Sequence, residues 1–443
     1  MKKTLFLTSF MALSVMFAQS LHAATAYGDV NNGAITELID GDTIGTINGD
    51  STIALMSGGT INIFDWTTIM ENITGGTINN VTGGTIRNVN GGNIGSMSNY
   101  AHIENMYAGK LTTMDENTYI EAFRGGTSGE VKTGASLYWM HDGLIENLNG
   151  GSVGGMSTGR IDIMNSGSVG DMYDDSSIGT MNGGTVVALW NTTSVDTLDG
   201  GTITTVKDSA HIEDFVSGNI GNITGGATIE TMSGGTITMA NGSTIINEMT
   251  SGIITDMADT AQVKLVTGGN IGTVSNQARI AEMTNGDIIK LQGGSSVTDF
   301  RGGTIGSLDA VGSDGSFISN FYAGTLTDIN AGAHVEKFYG GTITNVNSGS
   351  FVSDLSGGTI TNLNLDSIVY WMHSGKIENM YDARVNGMST GEITNMYGGS
   401  VGPMYSDSKI INFDGGIIES MENTTSITTM GGGTVTTMSQ DAT

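Results

Sequence analysis

A short period constrains this chain more than any other feature. Ile203, Ile220, Ile237, Ile254, Ile271, Ile288 and Ile305 recur every 17 residues, and between them Ile212, Ile229, Ile246, Val263, Ile280 and Val297 recur at the same interval. Each has an apolar partner three positions on. The first register is followed by Val206, Ile223, Ala240, Met257, Val274, Leu291 and Leu308, the second by Phe215, Met232, Met249, Val266, Met283 and Phe300. The unit therefore has two halves, of 9 and 8 residues. One half is usually entered through glycine, as in Gly234-Gly235-Thr236-Ile237. The other is more polar, as in His211-Ile212-Glu213-Asp214-Phe215.

Halves this short cannot make a packed helix, and Gly-Gly breaks one. Thr, Ile and Val favour strands, and glycine supplies the positive-φ corners between them. One 17-residue coil cannot bury its own apolar residues, but a stack aligns Ile over Ile and Met over Met. The pattern predicts an all-β chain, a single continuous β-solenoid with two half-repeats per coil. About 25 coils at ~4.8 Å each give a rod on the order of 120 Å long. Helical solenoids need units of ~33–47 residues and are excluded. The calcium-binding β-roll needs Gly-Gly-x-Gly-x-Asp, which is missing here, so no calcium ladder is expected.

Composition narrows the function classes. With 69 Gly but one Pro, collagen and Pro-rich disorder do not fit. Cys is absent, so neither disulfides nor thiolate metal sites can hold the chain. A net charge of −28 argues against a nucleic-acid-binding surface. Residues 1–23 read as a signal peptide: Lys2 and Lys3, an apolar run from Leu5 to Ala18, then small residues up to Ala23-Ala24. Cleavage is expected after Ala23, with Ala26 the second choice. The apolar run is short for a membrane span of ~20 residues, and no later window reaches that length. Residues 24–443 are then one exported rod.

Two stretches depart from the period. Leu137, Ile145, Val153, Ile161 and Val169 run at spacing 8, and so do Val369, Ile377, Val385, Ile393 and Val401. Both belong to an internal duplication of residues 137–206 and 369–438, offset by 232. Tyr138-Trp139-Met140-His141 matches Tyr370-Trp371-Met372-His373, and Met156-Ser157-Thr158-Gly159 matches Met388-Ser389-Thr390-Gly391. The second departure, at 309–316, reads as a surface loop.

The candidate ligand-binding residues are Tyr138, Trp139 and His141, with Tyr370, Trp371 and His373 in the second copy. With Leu137 and Met140 turned inward, at least one ring of each Tyr-Trp pair faces solvent, where it can stack on a sugar. The plainer reading is that duplication copied a core or corner aromatic. The 26 Met read as a core ladder filling irregular gaps. Thr-x-Thr pairs such as Thr202/Thr204 and Thr342/Thr344 suggest an ice-binding face, but Asn219/Gly221 and Asn270/Gly272 break the ranks. Adjacent acids such as Asp115-Glu116, Asp174-Asp175 and Glu213-Asp214 point to opposite sides of a strand and do not converge on a glycosidic bond. The His residues are scattered and no phosphate-binding loop fits. No catalytic residue, metal site or cofactor is expected.

The recurring units Gly75-Gly76-Thr77-Ile78, Gly83-Gly84-Thr85-Ile86 and Gly302-Gly303-Thr304-Ile305, with polar corners and a bacterial-style leader, resemble the passenger stalks of autotransporter adhesins of the AIDA type. The resemblance covers the repeat style of the whole exported chain. It implies a passenger on the surface of a Gram-negative cell, reached through the periplasm, that adheres or self-associates, at times with sugars added to Ser and Thr. That family ends in a membrane β-barrel, whereas Val435-Thr436-Thr437-Met438 is still a repeat, so a fragment of a longer passenger is expected. The expectation is a non-catalytic surface rod whose partners are copies of itself or glycans and proteins of other cells. The rival readings are a secreted structural layer, an ice-binding solenoid and, least favoured, a polysaccharide-degrading β-helix.

Overall fold

The structure, a computed structural model, describes residues 23–443; apart from Ala23, the leader expected at 1–23 lies outside the described residues. The chain is a β-solenoid of about 24 parallel coils. Each coil contributes one strand to each of two ladders. Ile203 pairs with Ile220, Ile220 with Ile237 and Ile237 with Ile254 in one. Ile212 pairs with Ile229, and Ile229 with Ile246, in the other. The inward residues of both ladders form one continuous core. Phe300, Phe321 and Phe338 stack within it at 4.7 and 4.8 Å between ring centroids.

A flat strand alternates sides every residue. Away from the terminal coils the second and fifth residues of the five-residue strands are buried, as in Ser136–Met140, where Leu137 and Met140 point inward. Two adjacent residues must then face outward, so the strand bends at its third residue. That bend is visible in the pairing: His211, Ile212, Asp214 and Phe215 each have a partner one coil on, and Glu213 does not.

Corners come in two lengths. The long corner places a residue at positive φ in successive coils, Asp208 (61°), Gly225 (70°), Gly242 (61°), Asp259 (58°) and Asn276 (51°), the last followed by Gln277 (71°). Asp, Asn and Gly tolerate that left-handed region best. Two residues further on the corner tucks in a small side chain: Ala210, Ala227, Thr244, Ala261 and Ala278 are all buried. The Thr244 hydroxyl donates to the Asn241 carbonyl at 2.7 Å, whereas those of Thr193, Ser408 and Thr425 lack a partner among the described residues. The short corner is the glycine corner. Gly252 sits at φ 94°, where a Cβ would lie 2.7 Å from the Gly234 carbonyl oxygen of the preceding coil.

The spacing-8 stretches have a structural meaning. Up to Ser136 the long corners enter one ladder, with Asn117 and Gly134 at positive φ; from Ser177 they enter the other, with Asp174 and Asn191 at positive φ. Between them both corners are short, which removes one residue per coil. The second stretch reverses the exchange: Asp366 marks a long corner before Ile368–Met372, and Ser406 and Asn423 mark long corners in the opposite ladder. Each Tyr-Trp segment thus sits where the long corner crosses from one edge of the rod to the other. The interruption at 309–316 is a small antiparallel hairpin, Ala310 with Gly315 and Val311 with Asp314, leaving the stack unbroken: Ser296 still pairs with Phe317.

Candidate functional site

The bent strand decides where the candidate aromatics go. Tyr138 occupies the third position and is 69% exposed; Trp139 occupies the fourth and is half-buried. Trp139 spans the bare backbone of Gly155 in the next coil and stacks with Tyr173, one coil further, at 6.3 Å and 26°. Tyr173 stacks in turn on Trp190 at 6.0 Å, and the Lys207 ammonium caps that ring, 2.7 Å from its centroid. His141 tilts against Trp139 at 6.1 Å. Burial, with Arg124 nearby, lowers its pKa and favours the neutral imidazole.

The second copy repeats this geometry. Trp371 spans Gly387, stacks with Tyr405 at 6.3 Å and 29°, and meets His373 at 5.9 Å. His373 lies 3.4 Å from the Asp354 carboxylate. The structure therefore brings Trp139 together with His141, and Trp371 with His373, and separates Tyr138 from its neighbour Trp139. The tryptophans form edge ladders whose faces are occupied by other rings and by glycine backbone.

Tyr138 belongs to a different group. With Tyr119, Glu121 and Ser136 it lines an open hollow of about 640 Å³. Tyr119 and Ser136 are paired first residues of successive strands, and Glu121 and Tyr138 are the third residues of the same strands. His102, one coil earlier, stacks on Tyr119 at 4.1 Å and 21°. Its Nε2 lies 3.2 Å from Glu121, close but poorly aligned for a hydrogen bond. Burial lowers the His102 pKa although Glu121 and Glu104 oppose it, which favours the neutral ring.

The sequence reading missed this group, although a signal was present. The duplication extends upstream of residue 137: Ala101-His102-Ile103-Glu104 matches Ala333-His334-Val335-Glu336, again offset by 232. Tyr119 and Ser136 correspond to Phe351 and Ile368, and Glu121 to Ser353. In that second copy His334 stacks between Phe317 and Phe351 at 5.4 and 4.5 Å. Phe351 then meets the Tyr370 ring edge-on at 5.4 Å and 83°. Tyr370 is correspondingly more covered, at 44% exposed.

Elsewhere the surface is regular. Asn345, Asn362, Asn379, Asn395 and Asn412 form an amide ladder, each Nδ2 donating to the preceding Oδ1 at 2.8–3.2 Å. Thr304, Thr325, Thr342 and Thr359 stand in register over four coils, a longer rank than the Thr-x-Thr pairs suggested, bounded by Asp287 and Lys376. Apart from Met430 and Met438, which are exposed in the last coil, the Met at the closing strand positions are buried, so the core reading of that series holds. No family model matches the chain, and neither does any curated protein or solved structure.

Proposed function

We propose that the chain is an exported, non-catalytic rod at the surface of a Gram-negative cell that mediates adhesion or self-association, as autotransporter passengers do. The observation that carries this reading is the unbroken register of the two ladders. A side chain placed outward in one coil has neighbours at the same height on the strand in the coils above and below. Contacts made by such a surface multiply along the rod, so individually weak interactions sum to a durable one. The amide ladder from Asn345 to Asn412 and exposed rings such as Tyr107, Tyr138, Tyr339 and Tyr397 supply outward groups for it.

The net charge of −28 opposes side-by-side approach of two rods, and salt screens that repulsion. The test is display of residues 24–443 on a bacterium that does not clump by itself, followed by sedimentation across a salt series. Clumping that strengthens as salt rises supports the reading. Clumping that never appears, or that falls steadily with salt, rejects self-association through the outward ladders.

A further inference from the structure

We propose that the hollow between Tyr119 and Tyr138 is a binding site for an uncharged pyranose ring of a glycan; the inference rests on the adhesive reading and names the chemistry that one of its contacts recognises. Three features argue for a sugar. The first is an exposed ring on one flank: Tyr138 is 69% exposed and offers a face on which the C–H side of a pyranose can stack. The second is an acceptor in the lining. Sugar hydroxyls are donors in search of acceptors, and the two oxygens of Glu121 can accept from adjacent hydroxyls, with Ser136 beside them. The third is a braced flank: His102 stacks on Tyr119, so that ring is held before any ligand arrives. At about 640 Å³ the hollow has room for more than one ring, within the range of small-molecule sites.

Charge selects the class of sugar. Glu121 lines the hollow and Glu104 lies near the same histidine, on a rod of net charge −28, so uronic and sialic acids are repelled. The duplication supplies an internal control. The second copy keeps the tyrosine and the histidine but replaces Tyr119, Glu121 and Ser136 by Phe351, Ser353 and Ile368, and the edge-on Phe351–Tyr370 contact leaves Tyr370 44% exposed against 69% for Tyr138. That copy lacks the carboxylate and offers a less open ring, and it is not expected to bind the sugar.

The experiment is saturation-transfer NMR and a glycan array on residues 24–443, with neutral and acidic glycans as probes. Neutral pyranosides are expected to bind and acidic ones not. Tyr138→Ala is expected to weaken binding at least tenfold and Glu121→Gln severalfold, while Tyr370→Ala leaves it unchanged. Tyr138 and Glu121 are exposed, and unchanged thermal melts will show that the variants fold. Equal losses from Tyr370→Ala and Tyr138→Ala, preferential binding of acidic glycans, or no glycan binding at all would overturn the assignment. Clumping of cells displaying the same chain is read in parallel. Clumping without glycan binding rejects the sugar site and leaves the self-associating rod standing; glycan binding without clumping supports the sugar site and rejects self-association.

Discussion

The indole of Trp139 lies against the Cα of Gly155 one coil along, so closely that a Cβ there would collide with the ring. Trp371 and Gly387 repeat the relationship. Gly155→Ala is therefore expected to destabilise by about 1–3 kcal/mol, the usual cost of overpacking, and to push the indole toward solvent. Urea unfolding and a red-shifted tryptophan emission check this. In a Trp139→Ala background the same substitution is expected to cost much less, because the two residues act on each other.

Phe321 packs between Phe300 and Phe338, one ring per coil. Phe321→Ala is expected to cost about 3–5 kcal/mol. Since a coil touches only its neighbours, the damage stays local. Amide exchange should quicken in the coils around residues 300–355 and stay slow between 200 and 260. Uniform quickening along the whole rod would contradict the picture of short-range stabilisation.

The long corners test backbone strain. Gln277 holds φ at 71° with a full side chain, where glycine pays no steric penalty. Gln277→Gly is expected to raise the unfolding midpoint. Asp208, at φ 61°, should tolerate glycine and lose about 1–2 kcal/mol as alanine.

Two pH windows are expected. Burial holds His102 and His334 below the ordinary histidine pKa. Their neutral form is favoured in the folded state, so their contribution is present above about pH 6.5 and is lost as pH falls through the folded pKa. His334→Phe, which extends the ring stack between Phe317 and Phe351, should flatten this window. Lower down, the Lys409 ammonium, 2.8 Å away, holds Glu392 below the usual carboxylate range. That contribution is present above about pH 4.3 and fades as pH falls further. Urea midpoints from pH 3 to 8, with Lys409→Met as the second control, separate the two.

The stack was legible because Ile203, Ile220 and Ile237 must lie on one another for any of them to be buried. The inward partners three positions on were legible as well, although three is the wrong spacing for a straight strand, and only coordinates revealed the bend at the third residue. Spacing 8 was visible around Leu137; that it carries the long corner across the rod was not, because an edge is a property of the stack and not of a window of residues. The Tyr119–Tyr138 hollow escaped for the same reason. Its members lie 17 and 19 residues apart in sequence, and they emerge only when the chain is written in columns one coil wide.

The register between coils also has a bearing on descent. Because each turn offers the next the same row of amides and the same pair of inward side chains, a crossover between two Gly-Gly-Thr-Ile units on the same ladder, such as those at Ile61 and Ile78, inserts or deletes whole turns and leaves a sound joint. Each such event changes the reach of the molecule by about 5 Å. Length can therefore drift between lineages while the segments that carry Tyr138 and Tyr370 pass through intact.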